Sequence, residues 1–210
     1  MTTAARLGFE TAGIRLSNTL NAGAPPPARH TERHVRVLAD IVPPSRFIRA
    51  AVAGAIVGLI TITIYLVVER AIAERLSVVL GLLQLLQWDA SNGYGPAAFE
   101  GGWPMALIGL AMDFVVSLAW AVAFTALYVA VPAVRRNVVL VGLVFGAVVM
   151  VAMIYAIVPT GHAARMHSTV AHVINVLVAH TIFFGLPLAL TVDAVLKGRA
   201  PRALESPRTA

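Results

Sequence analysis

Residues 50–68 read AAVAGAIVGLITITIYLVV, an uninterrupted run without a charge. Arg46 and Arg49 stand before it, and Glu69 and Arg70 follow. An α-helix rises about 1.5 Å per residue, so about 20 apolar residues cross the roughly 30 Å of hydrocarbon in a bilayer. Three further runs fit that length. Residues 104–131 are interrupted only by Asp113. Residues 138–158 lie between Arg135–Arg136 and Pro159. Residues 168–192 contain His172 and His180 and end at Asp193. Each run is apolar on every face, so the period-two alternation of an outer-membrane β-barrel is absent. The pattern predicts an all-α integral membrane protein, a four-transmembrane-helix antiparallel bundle whose surroundings are the lipid bilayer.

Composition supports this reading. Of the 210 residues, 59% are hydrophobic and 12% charged, against roughly 25% charged in an ordinary globular chain. A soluble domain of this size could not hide so much apolar surface, which excludes an ordinary water-soluble enzyme. The chain has no cysteine, which excludes disulfides, thiolate metal sites, covalent haem attachment and cysteine nucleophiles. The net charge of +6 follows from the positive-inside rule. Nucleic acid is not an expected partner: there is no helix-turn-helix pattern, zinc spacing or aromatic–basic interleaving.

The basic residues set the expected topology. Arg6, Arg15, Arg29, Arg33, Arg36, Arg46 and Arg49 precede the first run, and Arg135 and Arg136 separate the second from the third. Lys197, Arg199, Arg202 and Arg208 follow the fourth. These thirteen of sixteen basic residues share one side, leaving Arg70, Arg75 and Arg165 on the other. Both termini are therefore expected in the cytoplasm of a bacterial inner membrane. The chain divides into a basic tail at 1–45, a membrane domain at 46–195 and a C-terminal tail at 196–210. The first tail, with its proline run at 25–27, is expected to be largely disordered. It lacks the apolar segment of a cleaved signal peptide. Residues 34–42 (HVRVLADIV) suit a short helix on the membrane surface.

Residues 77–88 (SVVLGLLQLLQW) are apolar but too short to span. They predict a short interfacial helix between helices one and two, a lid or gate over the mouth of the bundle. Gly93, Gly95, Gly101 and Gly102 around Pro96 imply a turn-rich connection. Trp88, Tyr94 and Trp103 suit an aromatic belt.

Lipid gives helices no hydrophobic reason to associate, so close approach through small residues matters. Gly54 and Gly58 form one such stripe, and Gly142 and Gly146 another. Gly109, Asp113, Ser117 and Ala121 form a third. These stripes serve either the chain's own packing or contact with another membrane protein or a second copy.

Asp113 lies roughly 14 Å into its run, and His180 roughly 17 Å into a run of the same direction. Their similar depth predicts an intramembrane polar pair, either a clasp that fixes register or a proton relay. His162, His167 and His172 gather near the start of the fourth run, with Met residues on neighbouring helices. Imidazole and thioether ligands suit copper or zinc, so these histidines are the candidate metal ligands. The sequence has no G-x-S-x-G, P-loop or H-E-x-x-H pattern. No enzymatic activity and no cofactor are expected.

Residues 85–128 (LLQWDASNGYGPAAFEGGWPMALIGLAMDFVVSLAWAVAFTALY) resemble a group of uncharacterised bacterial four-helix inner-membrane proteins, distantly similar to the YagU family. Gly142, Gly146, Met153 and Val158-Pro159 carry the resemblance into the third run, and His180 with Gly185-Leu186-Pro187 into the fourth. It covers roughly residues 50–195 and implies the same fold and location, but no activity. Asp113 stands where that group shows His, which disfavours a bis-histidine metal or haem role. The leading functional expectation is an accessory or assembly subunit acting through helix packing. The alternative is a small proton-coupled or metal-handling transport protein using Asp113 and His180.

Overall fold

The computed structural model describes residues 42–163 and 169–198. The expected surface helix at 34–42 falls outside these residues, apart from its last position. So do His167 and the C-terminal tail beyond Gly198. The described residues are predominantly helical, with no strand among them. Four helices are long and apolar enough to cross a membrane: Pro44–Glu74, Gly102–Ala130, Val138–Thr160 and Val170–Leu196. They match the four expected runs and extend several of them by a turn or more.

Helix α1 is the first span, Pro44–Glu74. Pro44 opens it, where a missing N–H costs nothing. Arg75 ends it in the left-handed region at φ 55°, and the Leu76 N–H donates to the Ala71 carbonyl at 3.0 Å. Two residues later the Ser77 hydroxyl accepts from the Leu80 N–H and starts α2, Val78–Tyr94. The segment expected to be a short helix is thus a 17-residue one, continued by a 3₁₀ turn at Gly95–Glu100. Buried Gln87 holds that turn by donating to the carbonyls of Phe99 at 3.2 Å and Gly102 at 3.5 Å.

Helix α3, Gly102–Ala130, is the second span. A short helix α4, Pro132–Arg136, leads to α5, Val138–Ala152. The third span finishes in a π-helical turn, Met153–Ile157, and a 3₁₀ turn, Val158–Thr160. The fourth span comprises α6, Val170–Val178, a π-helical segment, Ala179–Gly185, and α7, Leu186–Leu196. Pro187 explains part of this break. It has no N–H for the carbonyl of Phe183 four residues back. That carbonyl instead accepts from the Thr61 hydroxyl of α1. Tyr65, one turn further along α1, stacks on Phe183 at 4.2 Å and donates to Asn175 Oδ1 at 2.5 Å.

The glycine stripes pack helices of this chain against each other. An ideal Cβ on Gly54 would stand 3.0 Å from Val192, and one on Gly58 3.1 Å from Phe184, both on the fourth span. Gly142 and Gly146 meet Gly185 and the His180 carbonyl so closely that a Cβ on Gly146 would lie 2.1 Å from that oxygen. The fourth span is therefore held between the first and the third. On the second span, Trp120 and Phe124 pack edge-on against Phe145 of α5. Large side chains such as Ile60, Ile64, Val115 and Leu140 point outward, exposed. Such an apolar exterior is what hydrocarbon requires.

Candidate functional site

Gly109 fixes the geometry around the polar residues of α3. A Cβ there would stand 1.8 Å from the Leu86 carbonyl oxygen and 3.0 Å from the Ala90 nitrogen. Helix α2 therefore lies directly on the backbone of the second span. One turn along, Gly93 faces Met112 at van der Waals distance. Asp89 lies on α2 between the residues that make these two contacts, and Asp113 follows Met112 on the second span. Both are half-buried, and the Asp113 charge acts on the Asp89 carboxyl. Burial pushes that carboxyl well above the usual carboxylate range, and Asp113 raises it further.

The neighbours of Asp89 are polar and incompletely paired. Trp88 Nε1 and Asn92 Oδ1 are buried with no hydrogen-bond partner among the described residues. Asn92 Nδ2 donates to the Asp89 main-chain carbonyl at 3.2 Å. The Asn92 carbonyl accepts from the His162 N–H at 2.9 Å, which joins α2 to the segment after the third span. Buried polar atoms are nearly always paired with protein or water.

The expected partner of Asp113 lies elsewhere. His180 Nδ1 is 2.9 Å from the Val176 carbonyl on its own helix, and the His180 main-chain carbonyl faces Gly146 of the third span. No hydrogen bond or ion pair joins Asp113 to His180 among the described residues. At the π-helical segment the fourth span faces the third, through the His180 carbonyl and Gly146.

Of the candidate metal ligands, His162 and His172 lie within the described residues and His167 outside them. His162 meets α2 through its main chain. The His172 N–H is capped by the Thr169 hydroxyl at 3.2 Å. Among the described residues, no three His, Asp or Glu side chains gather where they could hold a metal. Of the aromatic residues expected at an interface, Tyr94 and Trp103 are exposed, but Trp88 is turned inward with its indole nitrogen enclosed.

A second polar cluster ties the other ends of the second and fourth spans to the short helix α4. Tyr128 donates to Asp193 Oδ1 at 2.6 Å, and Lys197 Nζ is 2.7 Å from the same oxygen. Arg135 donates to the carbonyls of Tyr128, at 3.0 Å, and Val129. Its guanidinium stands 5.9 Å from the Tyr128 ring centroid. Arg135 thus caps the last carbonyls of the second span, where a cation also complements the helix dipole. Sequence reasoning marked Asp193 as the end of a run and missed that Tyr128 pairs with it. Their separation along the chain hides the contact.

Compared with protein-family models, curated proteins and solved structures, the chain matches none.

Proposed function

We propose that this chain is a proton-coupled inner-membrane protein whose Asp89 and Asp113 share a proton. The observation that carries this reading is that the Asp113 charge acts on the Asp89 carboxyl, the two residues standing on helices whose backbones touch at Gly109. Two partly desolvated carboxyls that act on each other resist double ionisation, so one keeps its proton into a range where an isolated aspartate has lost it. Intramembrane ionisable residues mark proton and ion pathways by default. The unpartnered Trp88 N–H and Asn92 oxygen stand on the same helix as Asp89.

In this reading the four spans form an antiparallel bundle with both termini in the cytoplasm, and α2 lies at the opposite interface. The basic residues support that orientation. The accessory-subunit reading drew on the glycine stripes. Gly54, Gly58, Gly109, Gly142 and Gly146 are all occupied by helices of the same chain, which favours the proton-coupled alternative.

The test is proton movement in liposomes containing the purified protein, driven by an imposed pH gradient. Wild type is expected to acidify the lumen, and Asp89→Asn and Asp113→Asn to abolish this. His180→Gln is expected to retain it, since His180 bonds within its own helix. Equal proton movement in wild type and both aspartate variants would overturn the proposal.

A further inference from the structure

The end of the molecule that carries Pro44 and Leu196 concentrates cations around one carboxylate. Gly198 follows the fourth span at φ 70° and has no side chain. The Arg46 guanidinium occupies the space this leaves: a Cβ on Gly198 would stand 2.8 Å from Arg46 Nη2. The adjacent Lys197 pairs with Asp193, Asp193 with Tyr128, and the Tyr128 ring lies beneath Arg135. These contacts place Arg46, Lys197 and Arg135 at the ends of the first, fourth and second spans. Asp193 is the one carboxylate in that chain of contacts. Arg46 and Lys197 are exposed, while Asp193 is buried. The charge of Arg46 and Lys197 therefore faces outward and the counter-charge inward, while the half-buried Arg135 gives two of its donors to carbonyls and keeps the rest of its guanidinium for an added anion.

We propose that Arg46, Lys197 and Arg135 form a binding site for a phosphate group, and that the phosphate belongs to an anionic phospholipid. Basic pockets between the ends of membrane helices take up such headgroups. Guanidinium groups offer paired donors suited to phosphate oxygens, and an ammonium adds a point charge. The acyl chains of a bound lipid would lie along the apolar exterior of the adjoining helices. The site is independent of the Asp89–Asp113 pair.

The purified full-length chain is reconstituted in nanodiscs of phosphatidylcholine, with and without a fraction of phosphatidylglycerol, and its melting temperature is followed. A third arm adds sodium phosphate to the phosphatidylcholine discs. Phosphatidylglycerol is expected to raise the melting temperature above that in phosphatidylcholine alone, with little effect from phosphate. In detergent titrations, loss of one cation is expected to weaken phosphatidylglycerol binding roughly fivefold. Arg46→Gln should show that loss and Arg46→Lys should restore most of it. Because the exposed Arg46 side chain makes no hydrogen bond or ion pair with the described residues, neither variant removes a packing contact of the core. Equal stability in both lipids, or unaltered phosphatidylglycerol binding by Arg46→Gln, would overturn the proposal. Stabilisation by phosphate to the same extent as by the lipid would retain the anion site and reject the lipid as its source.

Discussion

Replacing Gly109 with alanine tests the contact on which the carboxyl pair depends. The added Cβ would stand 1.8 Å from the Leu86 carbonyl oxygen, whereas ordinary contact begins near 3.4 Å. Helix α2 must therefore retreat from the second span by about 1.6 Å along that direction, as the difference of those two distances requires. The opposing atoms are backbone, so no side-chain rotation relieves the clash. Overpacking of this kind costs about 1–3 kcal/mol and occasionally more, and a backbone clash belongs at the upper end. The retreat also parts Asp89 from Asp113. Gly93→Ala is the control, since its new Cβ would meet only the flexible end of Met112 at 3.4 Å. Alanine is also the better helix former by about 1 kcal/mol. Tryptophan fluorescence follows unfolding in detergent through Trp88, Trp103 and Trp120. Gly109→Ala is expected to unfold about 3 kcal/mol earlier than wild type, and Gly93→Ala no earlier than wild type. If Gly109→Ala matched wild-type stability, the direct packing of α2 on the second span would be refuted.

Three further outcomes follow from the same contacts. Tyr128→Phe removes a hydrogen bond to a buried carboxylate and is expected to cost about 1.5–3 kcal/mol in denaturant unfolding. Thr61→Val leaves the Phe183 carbonyl without its donor beside Pro187, and a loss of about 1–3 kcal/mol is expected in the same assay. Stability should also depend on pH through Asp89. Its carboxyl is raised on folding, so its contribution is fully present below the ordinary value near 3.8 and is lost as pH rises through the raised value. Melting temperature measured from acid to neutral pH should therefore fall more steeply in wild type than in Asp89→Asn.

Much of the fold was legible because hydrocarbon imposes one strong constraint: a spanning helix needs a long uncharged run. Residues 50–68 and 138–158 satisfy it so fully that no other assignment competes. The glycine stripes were legible as packing surfaces, but their partners were not. Gly54 gives no sign that Val192 faces it, because contact across the chain depends on how each helix is rotated. Asp113 stood out because it interrupts an apolar run. Asp89 did not, because it follows Trp88 in a segment that reads as a surface connection. Helix α2 continues six residues past Trp88, and that extension carries Asp89 onto the second span. His180 matched Asp113 in depth along the chain, but depth says nothing about facing. The π-helical segment rotates the fourth span in a way that residue spacing does not reveal.

The shared proton is tested most directly by infrared spectroscopy of the carboxyl C=O stretch in lipid-reconstituted protein, titrated with pH. The account predicts a protonated carboxyl that persists above the ordinary aspartate range and disappears in Asp89→Asn. In Asp113→Asn the same band should titrate at lower pH, because the charge that raises Asp89 has been removed. A spectrum in which every carboxyl ionises within the ordinary range, or a titration unchanged by Asp113→Asn, would contradict it.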